Sequence, residues 1–481
     1  MEEAEKNSQN FGKKRAPILK RKRQNSYFTN EKGAKMDFLN VSLPEEIVRE
    51  EKIGNFETAK KIIKERLSED LPTLLKKRLD YEFERIERVI KDYPFDESSA
   101  KERLSKSIRD FSNEEYERLM KNGDLDYILI NGEKHFEKRF VQNLVFANAQ
   151  YAKRFESKRN DVRELVNKRI TELVDGDRLK RYRVTAEISL TLKKDLNAKL
   201  LKCWLPFPSV ESPIESAKLL SCDHQYMISS KNSESTTIYM EDLPKAGTKF
   251  TAKFEYTIHE QVTKVIPENV VDVHMKKYLS ETLPHIMFSP YAKNLTFEII
   301  GNEKNPYFKA KRIYDWITEN VRYSYMHAYS TYDMPLVDFV ISNLKGDCGV
   351  QALTFITMCR IAGIPAKWQS GWFVNPIDVS PHDWAYFYVK PYGWLPVDPS
   401  FGGSRRDIPE LRDFYFGNLD AFRMIANSNF MADFDPPTRF VRSDPYDNQI
   451  GELETESGNI YYDDFETNVK VLSFEDISKS T

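Results

Sequence analysis

Two spacings of apolar residues alternate along the chain, helical first, then strand-like, then helical again. Over residues 41–178 the spacing is helical: Leu75, Leu79, Phe83, Ile86 and Ile90 step by four, four, three and four, so they share one helix face, and Pro94 ends the segment. The stretch is densely charged and predicts a helical domain. Inside it, Tyr127–Ile130 and Glu133–Phe136 flank Asn131-Gly132, a dipeptide that favours a two-residue hairpin turn.

At about residue 180 the period drops to two. Arg183, Thr185, Glu187, Ser189 and Thr191 alternate with Val184, Ala186, Ile188, Leu190 and Leu192, the pattern of a half-buried strand. Leu200–Leu205, Thr236–Met240 and Lys249–Ile258 follow between clusters of Pro, Ser, Asn and Gly, and predict an antiparallel β sandwich over 179–262. His224 and His259 fall there without a second ligand at metal spacing and read as ordinary strand or loop residues. A connector with isolated prolines (Pro267, Pro284, Pro290) spans 263–290. Helical patterning then returns in Lys309–Ile317, with Pro306 near its start, and opens a core over 291–442. The acidic stretch 443–481 carries the strand-like pieces Asn459–Tyr462 and Asn468–Phe474 and predicts a β extension. The expected architecture is multidomain α+β.

Charge and cysteine usage remove several function classes. The 72 Lys+Arg nearly balance the 74 Asp+Glu, for a net charge of −2, so no chain-wide field holds a polyanion. No nucleic-acid partner is expected beyond a weak role for the basic tail over 1–40, where Lys13, Lys14, Arg15, Lys20, Arg21, Lys22 and Arg23 have few apolar neighbours and predict disorder. The longest apolar run is the six residues Trp384–Val389, too short to cross a bilayer or to serve as a signal peptide's apolar region, so a cytoplasmic protein with no membrane partner is expected. Cys203, Cys222, Cys348 and Cys359 form no C-x-x-C pair, which argues against a disulfide scaffold and structural zinc and leaves single-thiol chemistry open. No metal or cofactor is expected, and the pattern carries no sign of oligomeric state.

The chemistry concentrates after residue 335. Val350–Ala362 is helical in pattern ahead of Gly363, so Cys348 falls at a helix N-terminus, where unpaired N–H groups and the macrodipole favour thiolate over thiol. Downstream, His382–Val389 and Trp394–Asp398 form two β runs around Pro391-Tyr392-Gly393. With the turn centred on Lys390, His382 lies eight residues before the centre and Asp398 eight after, facing each other on one side of the hairpin. That geometry lets a carboxylate hold one imidazole N–H and aim the other nitrogen at a thiol. Trp384 shares the face and can shield the site from water.

These residues resemble the bacterial transglutaminase-like core of the papain-like cysteine enzymes. The resemblance rests on Gly346-Asp347-Cys348-Gly349, Arg360 to Ala366 (RIAGIPA), Ser370-Gly371-Trp372, His382-Asp383-Trp384 and Gly393 to Ser400 (GWLPVDPS), with Ile313 to Ile317 and Val321 to Tyr323 upstream, and covers about 291–402. It extends loosely to Trp204–Pro208 in the β domain and leaves the helical region in no family. It implies Cys348 as nucleophile, His382 as base and acid, and Asp398 as orienting carboxylate. The Cys348 backbone N–H is implied as one oxyanion donor, with Tyr325 or Tyr329 as candidates for the second. One departure is Tyr386, where the family carries an acid four residues after the histidine. Calcium, used by animal relatives, finds no ligand cluster in this chain.

The implied chemistry is cysteine-dependent acyl transfer on protein or peptide amides through a thioester. Water as acceptor gives a peptidase or amidase, the favoured outcome because no amine pocket is visible. A lysine amine gives a cross-linking transglutaminase, and a third reading is a non-catalytic protein-binding scaffold that retains the core. The helical and β domains are expected to present or gate a protein or peptide substrate. Cys359, eleven residues from Cys348, lies ~16 Å further along the helix and reads as a core residue.

Overall fold

The computed structural model describes residues 37–155 and 160–478. The seven cations of the basic tail lie outside the described residues; of its predicted span only the short turn Asp37–Asn40 is inside.

The helical region begins with α1 (Glu45–Lys52), α2 (Phe56–Leu67) and α3 (Thr73–Asp92). On α3 the expected face is the buried one: Leu79 and Ile86 pack with Ile47, Phe56 and Ile63, and Leu75, Phe83 and Ile90 lie against the same cluster. α4 (Glu97–Ser107), α5 (Asn113–Asn122), α6 (Phe140–Ala147) and α7 (Ala149–Arg154) enclose a second cluster around Leu104, Tyr116, Phe136 and Phe140. Ser112 and Glu115 start α5 with a reciprocal capping box. The hairpin of β1 (Tyr127–Ile130) and β2 (Glu133–Phe136) turns through Asn131 and Gly132 at φ 50° and 91°, the left-handed pair that the dipeptide favours.

α8 (Asn160–Val174) departs from the expected boundary at 178. Its Val166, Ile170 and Leu173 are buried in the cluster of the C-terminal core, so this helix belongs to that core by packing. The connector 263–290 is likewise packed down, with Val270 and Ile286 in the same cluster.

The sandwich forms from β3 (Arg181–Leu192), β4 (Leu201–Pro206), β5 (Ile214–Cys222), β6 (Tyr226–Ile228), β7 (Thr237–Asp242) and β8 (Lys249–His259). The core follows with α9 (Pro290–Ile300), α10 (Pro306–Asn320), β9 (Arg322–Tyr323), α11 (Leu336–Asn343), β10 (Lys345–Gly346) and α12 (Cys348–Ile361). Its sheet contains β11 (Ala366–Val374), β12 (Val379–Val389) and β13 (Gly393–Val397); after α13 (Pro399–Gly403) and α14 (Pro409–Phe414), β14 (Arg423–Asn427) completes it in the order β13-β12-β11-β14. Residues 385, 387 and 389 of β12 face α12, while Trp384 and Tyr386 face the sandwich.

The acidic stretch is integral to the sandwich. β15 (Glu452–Thr455) and β16 (Asn459–Ile460) extend one sheet, giving β16-β15-β4-β7-β6, and β17 (Phe465–Asp476) edges the other, giving β17-β3-β8-β5. The expected separate extension is corrected for a physical reason. Glu452 and Glu454 are buried acceptors, the first taking the N–H groups of Ser443 and Asp444, the second those of Arg439 and Phe440. At these two positions the acid satisfies buried backbone N–H groups rather than facing solvent. No helix among the described residues is long and apolar enough to cross a membrane.

Deleting residues 465–481 bares the hydrogen-bonding edge of β3 and removes Phe465, Val469, Val471 and Phe474 from the flank of the sandwich core. A lowered urea midpoint with aggregation in sedimentation is expected; an unchanged midpoint and a monodisperse product would contradict the assignment of β17 to the sandwich.

Candidate active site

Cys348 is the first residue of α12, and the side chain of Asp347 caps the helix by accepting the Val350 N–H at 3.1 Å. At the other end Gly363, at φ 82°, lets the Ile364 N–H reach Cys359 O at 2.8 Å. The helix is buried along nearly its whole length, Cys359 included, which makes that thiol a core residue. Gly349 is required by close approach: a Cβ there would strike the Tyr329 hydroxyl and lie 2.7 Å from Asp383 Oδ2.

The hairpin register differs from the expected one. β12 and β13 pair Ala385 with Val397 and Val389 with Gly393, so the turn centres on Pro391 and not on Lys390. Asp398 therefore follows the strand opposite Trp384, and His382 is its diagonal neighbour. The slip is even in total offset, so both side chains keep the same face, and a diagonal neighbour remains within reach of a long side chain. His382 Nε2 lies 2.7 Å from Asp398 Oδ2.

Asp398 is fully buried and densely bonded. Its Oδ2 accepts from Arg423 Nη2 at 3.0 Å, and its Oδ1 accepts from Ser400 Oγ and the Phe401 N–H, both at 2.9 Å. Burial would raise its pKa, but His382, Arg423 and the Phe401 N–H outweigh it and bring it down to about 2. Arg423 is also ion-paired with Asp420. His382 is pushed below the usual imidazole range by burial, which the Asp398 charge only partly opposes. Trp384 stacks on the His382 ring, centroids 5.8 Å apart, and donates its Nε1–H to Gln369 Oε1 at 2.8 Å. Tyr386 turns away from the site and donates its hydroxyl to Gln261 Oε1.

The thiol faces an unexpected partner. Cys348 Sγ lies 3.6 Å from Asp383 Oδ2, and no hydrogen bond joins it to His382 among the described residues. Burial, then the neighbouring Asp383 and Asp347 carboxyls, push the thiol well above its ordinary pKa, against the lowering expected from a helix N-terminus. The macrodipole favours a thiolate by little where two carboxyls share the pocket. Asp383 is itself raised by burial, then by Asp347 and Asp444, and accepts from Gln449 Nε2 at 2.7 Å. Asp447, beside it, is raised for the same reasons.

Cys348 and His382 open onto one cleft of about 1370 Å³. Its walls come from the helical region (Arg139, Phe146), the loop before α11 (Tyr325, Tyr329) and the segment from Ser443 to Glu452. Both candidate oxyanion tyrosines line it, with other engagements. The Tyr329 O–H donates to Asp347 Oδ1 at 2.5 Å, and the Tyr325 ring stands edge-on to Phe146 and under the Arg139 guanidinium. Among the described residues no group of three or more His, Cys, Asp and Glu side chains is placed to hold a metal. Sequence reasoning missed Asp383, Asp347, Arg423 and Asp420. An acid beside Cys348 and another beside His382 were visible, but nothing at Arg423 marked it as Asp398's partner, 25 residues away.

Residues 293–399 match the model of the transglutaminase-like superfamily. A Haemophilus influenzae protein named only as uncharacterized is 24% identical over 287 residues, covering 50% of this chain and 77% of its own. Among solved structures, a "putative cysteine protease" from Cytophaga hutchinsonii is 15% identical, covers 63% of this chain and 93% of its own, and superposes with a TM-score of 0.40. The periplasmic domain of TgpA from Pseudomonas aeruginosa is 14% identical, with coverages of 50% and 94% and a TM-score of 0.27.

Two stability outcomes follow from the buried charges. Asp398 has a folded pKa below its ordinary 3.8, so its contribution, on the order of 2 kcal/mol, is complete above pH ~4 and is lost as pH falls through 3.8 toward about 2. Asp398→Asn is expected to flatten that part of the urea-midpoint profile; an unchanged acid limb would contradict it. Arg423→Met leaves two carboxylates unpaired and is expected to cost about 3–5 kcal/mol in urea unfolding, whereas a loss below ~1 kcal/mol would show that Arg423 is not their counterion.

Proposed function

We propose that this chain, whose residues 293–399 match the transglutaminase-like superfamily model, is a cysteine enzyme that transfers acyl groups from protein or peptide amides, with water as the usual acceptor. The observation that carries the reading is the convergence on one cleft of Cys348 and a His382 whose Nε2 is held by an ionised Asp398. A histidine fixed in this way presents Nδ1 as a base.

In the resting protein both partners are neutral, the thiol raised and the imidazole lowered. The reaction therefore starts by general base catalysis rather than from a standing ion pair. The Cys348 side chain leaves Asp383 and its proton passes to His382 Nδ1 as sulfur bonds to the amide carbon. The Cys348 backbone N–H, at the start of α12, stabilises the oxyanion. Collapse breaks the C–N bond, and His382 returns the proton to the leaving amine. Water then gives a proton to His382, attacks the thioester carbonyl and releases the acid, and the sulfur recovers its proton. An amine acceptor follows the same steps and yields a cross-link.

The site's depth supports a chain in extended form as substrate, since the cleft runs between the helical region and the segment 443–452. With denatured casein, new amino termini are expected to exceed incorporated methylamine; the reverse ratio would make the protein a cross-linking transglutaminase. Cys348→Ala is expected to lower either activity by roughly 10³-fold or more, and retained activity would remove Cys348 as nucleophile.

The carboxyl beside the thiol gives a separate outcome. Asp383→Asn replaces an acid with a donor for the thiolate, so iodoacetamide labelling of Cys348 at neutral pH is expected to rise about 5-fold or more, with its apparent pKa moving down from above 9. Equal labelling rates would mean that Asp383 does not govern the thiol.

A further inference from the structure

One end of the Cys348 cleft is lined by Arg163, Arg322, Arg405 and Arg406. None of the four is ion-paired with a carboxylate among the described residues, and the bonds that Arg163, Arg405 and Arg406 make go to neutral oxygens. Arg163 donates to Ser404 O at 3.0 Å. Arg405 donates to Asn167 Oδ1 at 2.7 Å, Phe401 O at 3.0 Å and Ser404 Oγ at 2.9 Å. Arg406 donates to Gly403 O at 3.0 Å and Val321 O at 2.8 Å, and its pKa is lowered by burial and then by the like charge of Arg322. Arg322 is exposed.

Arg405 is the telling member. The residue is only 4% exposed, yet among the described residues no carboxylate pairs with it, and the bonds named above run through its Nε and Nη1. A desolvated guanidinium is costly without an anion. Elsewhere in the protein the buried Arg423, Arg169 and Arg85 sit against acids. Arg360 and Arg442 also bond only neutral oxygens, but neither lines the cleft.

The cluster adjoins the reacting groups. The Phe401 ring is 4.6 Å from the His382 ring, and the Arg405 guanidinium is 5.2 Å from the Phe401 ring. Arg322 opens β9, whose partner β10 runs directly into Asp347 and Cys348. Asp383, Asp444, Asp447 and Glu452 line the same cleft, so it is not the uniformly positive groove that a long polyanion needs. A short acidic segment needs only the basic end, where the planar guanidinium fork matches a carboxylate in two-point contact.

We propose that this end of the cleft is an anion subsite that receives carboxylates of an acidic peptide segment next to the bond attacked by Cys348. The subsite deepens the acyl-transfer reading by naming its substrate class. Binding to full-length Cys348→Ala protein tests it without turnover, so a failed subsite leaves the thiol chemistry standing, and an inert Cys348 leaves the subsite standing.

Fluorescein-labelled hexaglutamate amide is titrated by anisotropy against hexaglutamine amide, hexaglutamine with a free C-terminus, and hexathymidylate. Hexaglutamate amide is expected to bind about 10-fold or more tighter than hexaglutamine amide and to weaken as NaCl rises from about 50 to 300 mM. Arg322→Gln, at an exposed position, is expected to weaken hexaglutamate about 3- to 10-fold with an unchanged melting temperature, and Arg405→Lys to weaken it through loss of the fork. Tight binding of the free-acid hexaglutamine identifies the terminal carboxylate as the group received. Equal binding of the two amides, indifference to Arg322→Gln, or hexathymidylate binding as tightly as hexaglutamate would overturn the proposal.

Discussion

Arg423 is fully buried between Asp398 and Asp420, and the geometry of the site depends on that one charge. Two carboxylates without it would be desolvated acids on adjoining segments, and the segment after β13 and the approach to β14 would repel each other. With it, β14 is locked to the end of the hairpin, and Asp398 stays ionised in a place where burial alone would neutralise it. The ionised carboxylate then sets the imidazole: Nε2 carries the proton donated to Asp398, and Nδ1 is left for the cleft. The interaction that closes the sheet is thus the one that orients the His382 imidazole.

Much of this was legible in the sequence because local rules and tertiary packing agree. The α3 face, the Asn131-Gly132 hairpin, the β3 alternation and the placement of Cys348 at a helix start each follow from a period or a turn residue. The pairing of His382 with Asp398 was legible too, although the turn centre was misplaced by one residue, because facing survives a register change of two. What was hidden depends on distant partners. Nothing local in Asn160–Val174 says that its apolar face packs on the core rather than on the helices before it. Nothing in the acids of 443–481 separates Glu452, buried under two backbone N–H groups, from solvated neighbours such as Glu466. Asp383 escaped notice because it stands beside His382 but points to the other side of the strand, toward α12 and the thiol.

The cleft shows why these distant segments matter to the chemistry. The core alone supplies Cys348, His382 and Asp398, but the depth of the cleft comes from α6 on one side and from the Ser443–Glu452 segment on the other. That segment is held by β15, which is itself a strand of the sandwich. Sandwich stability and site shape are therefore coupled through the chain: Glu452 accepts the N–H groups of Ser443 and Asp444, and Gln449 donates to Asp383 from the same segment. On the proposed reading, burial and the neighbouring Asp383 hold the thiol up in pKa, so it rests protonated until a substrate displaces it from that carboxyl.

The most direct measurement is intact-protein mass spectrometry after brief exposure to an N-acylglycine p-nitrophenyl ester, quenched in acid and mapped by peptide. An acyl adduct on Cys348, removed by neutral hydroxylamine and formed far more slowly in His382→Ala, is expected for a thioester-forming nucleophile served by that base. An adduct spread over Cys203, Cys222 and Cys359, or one on Cys348 formed at the same rate without His382, would contradict it.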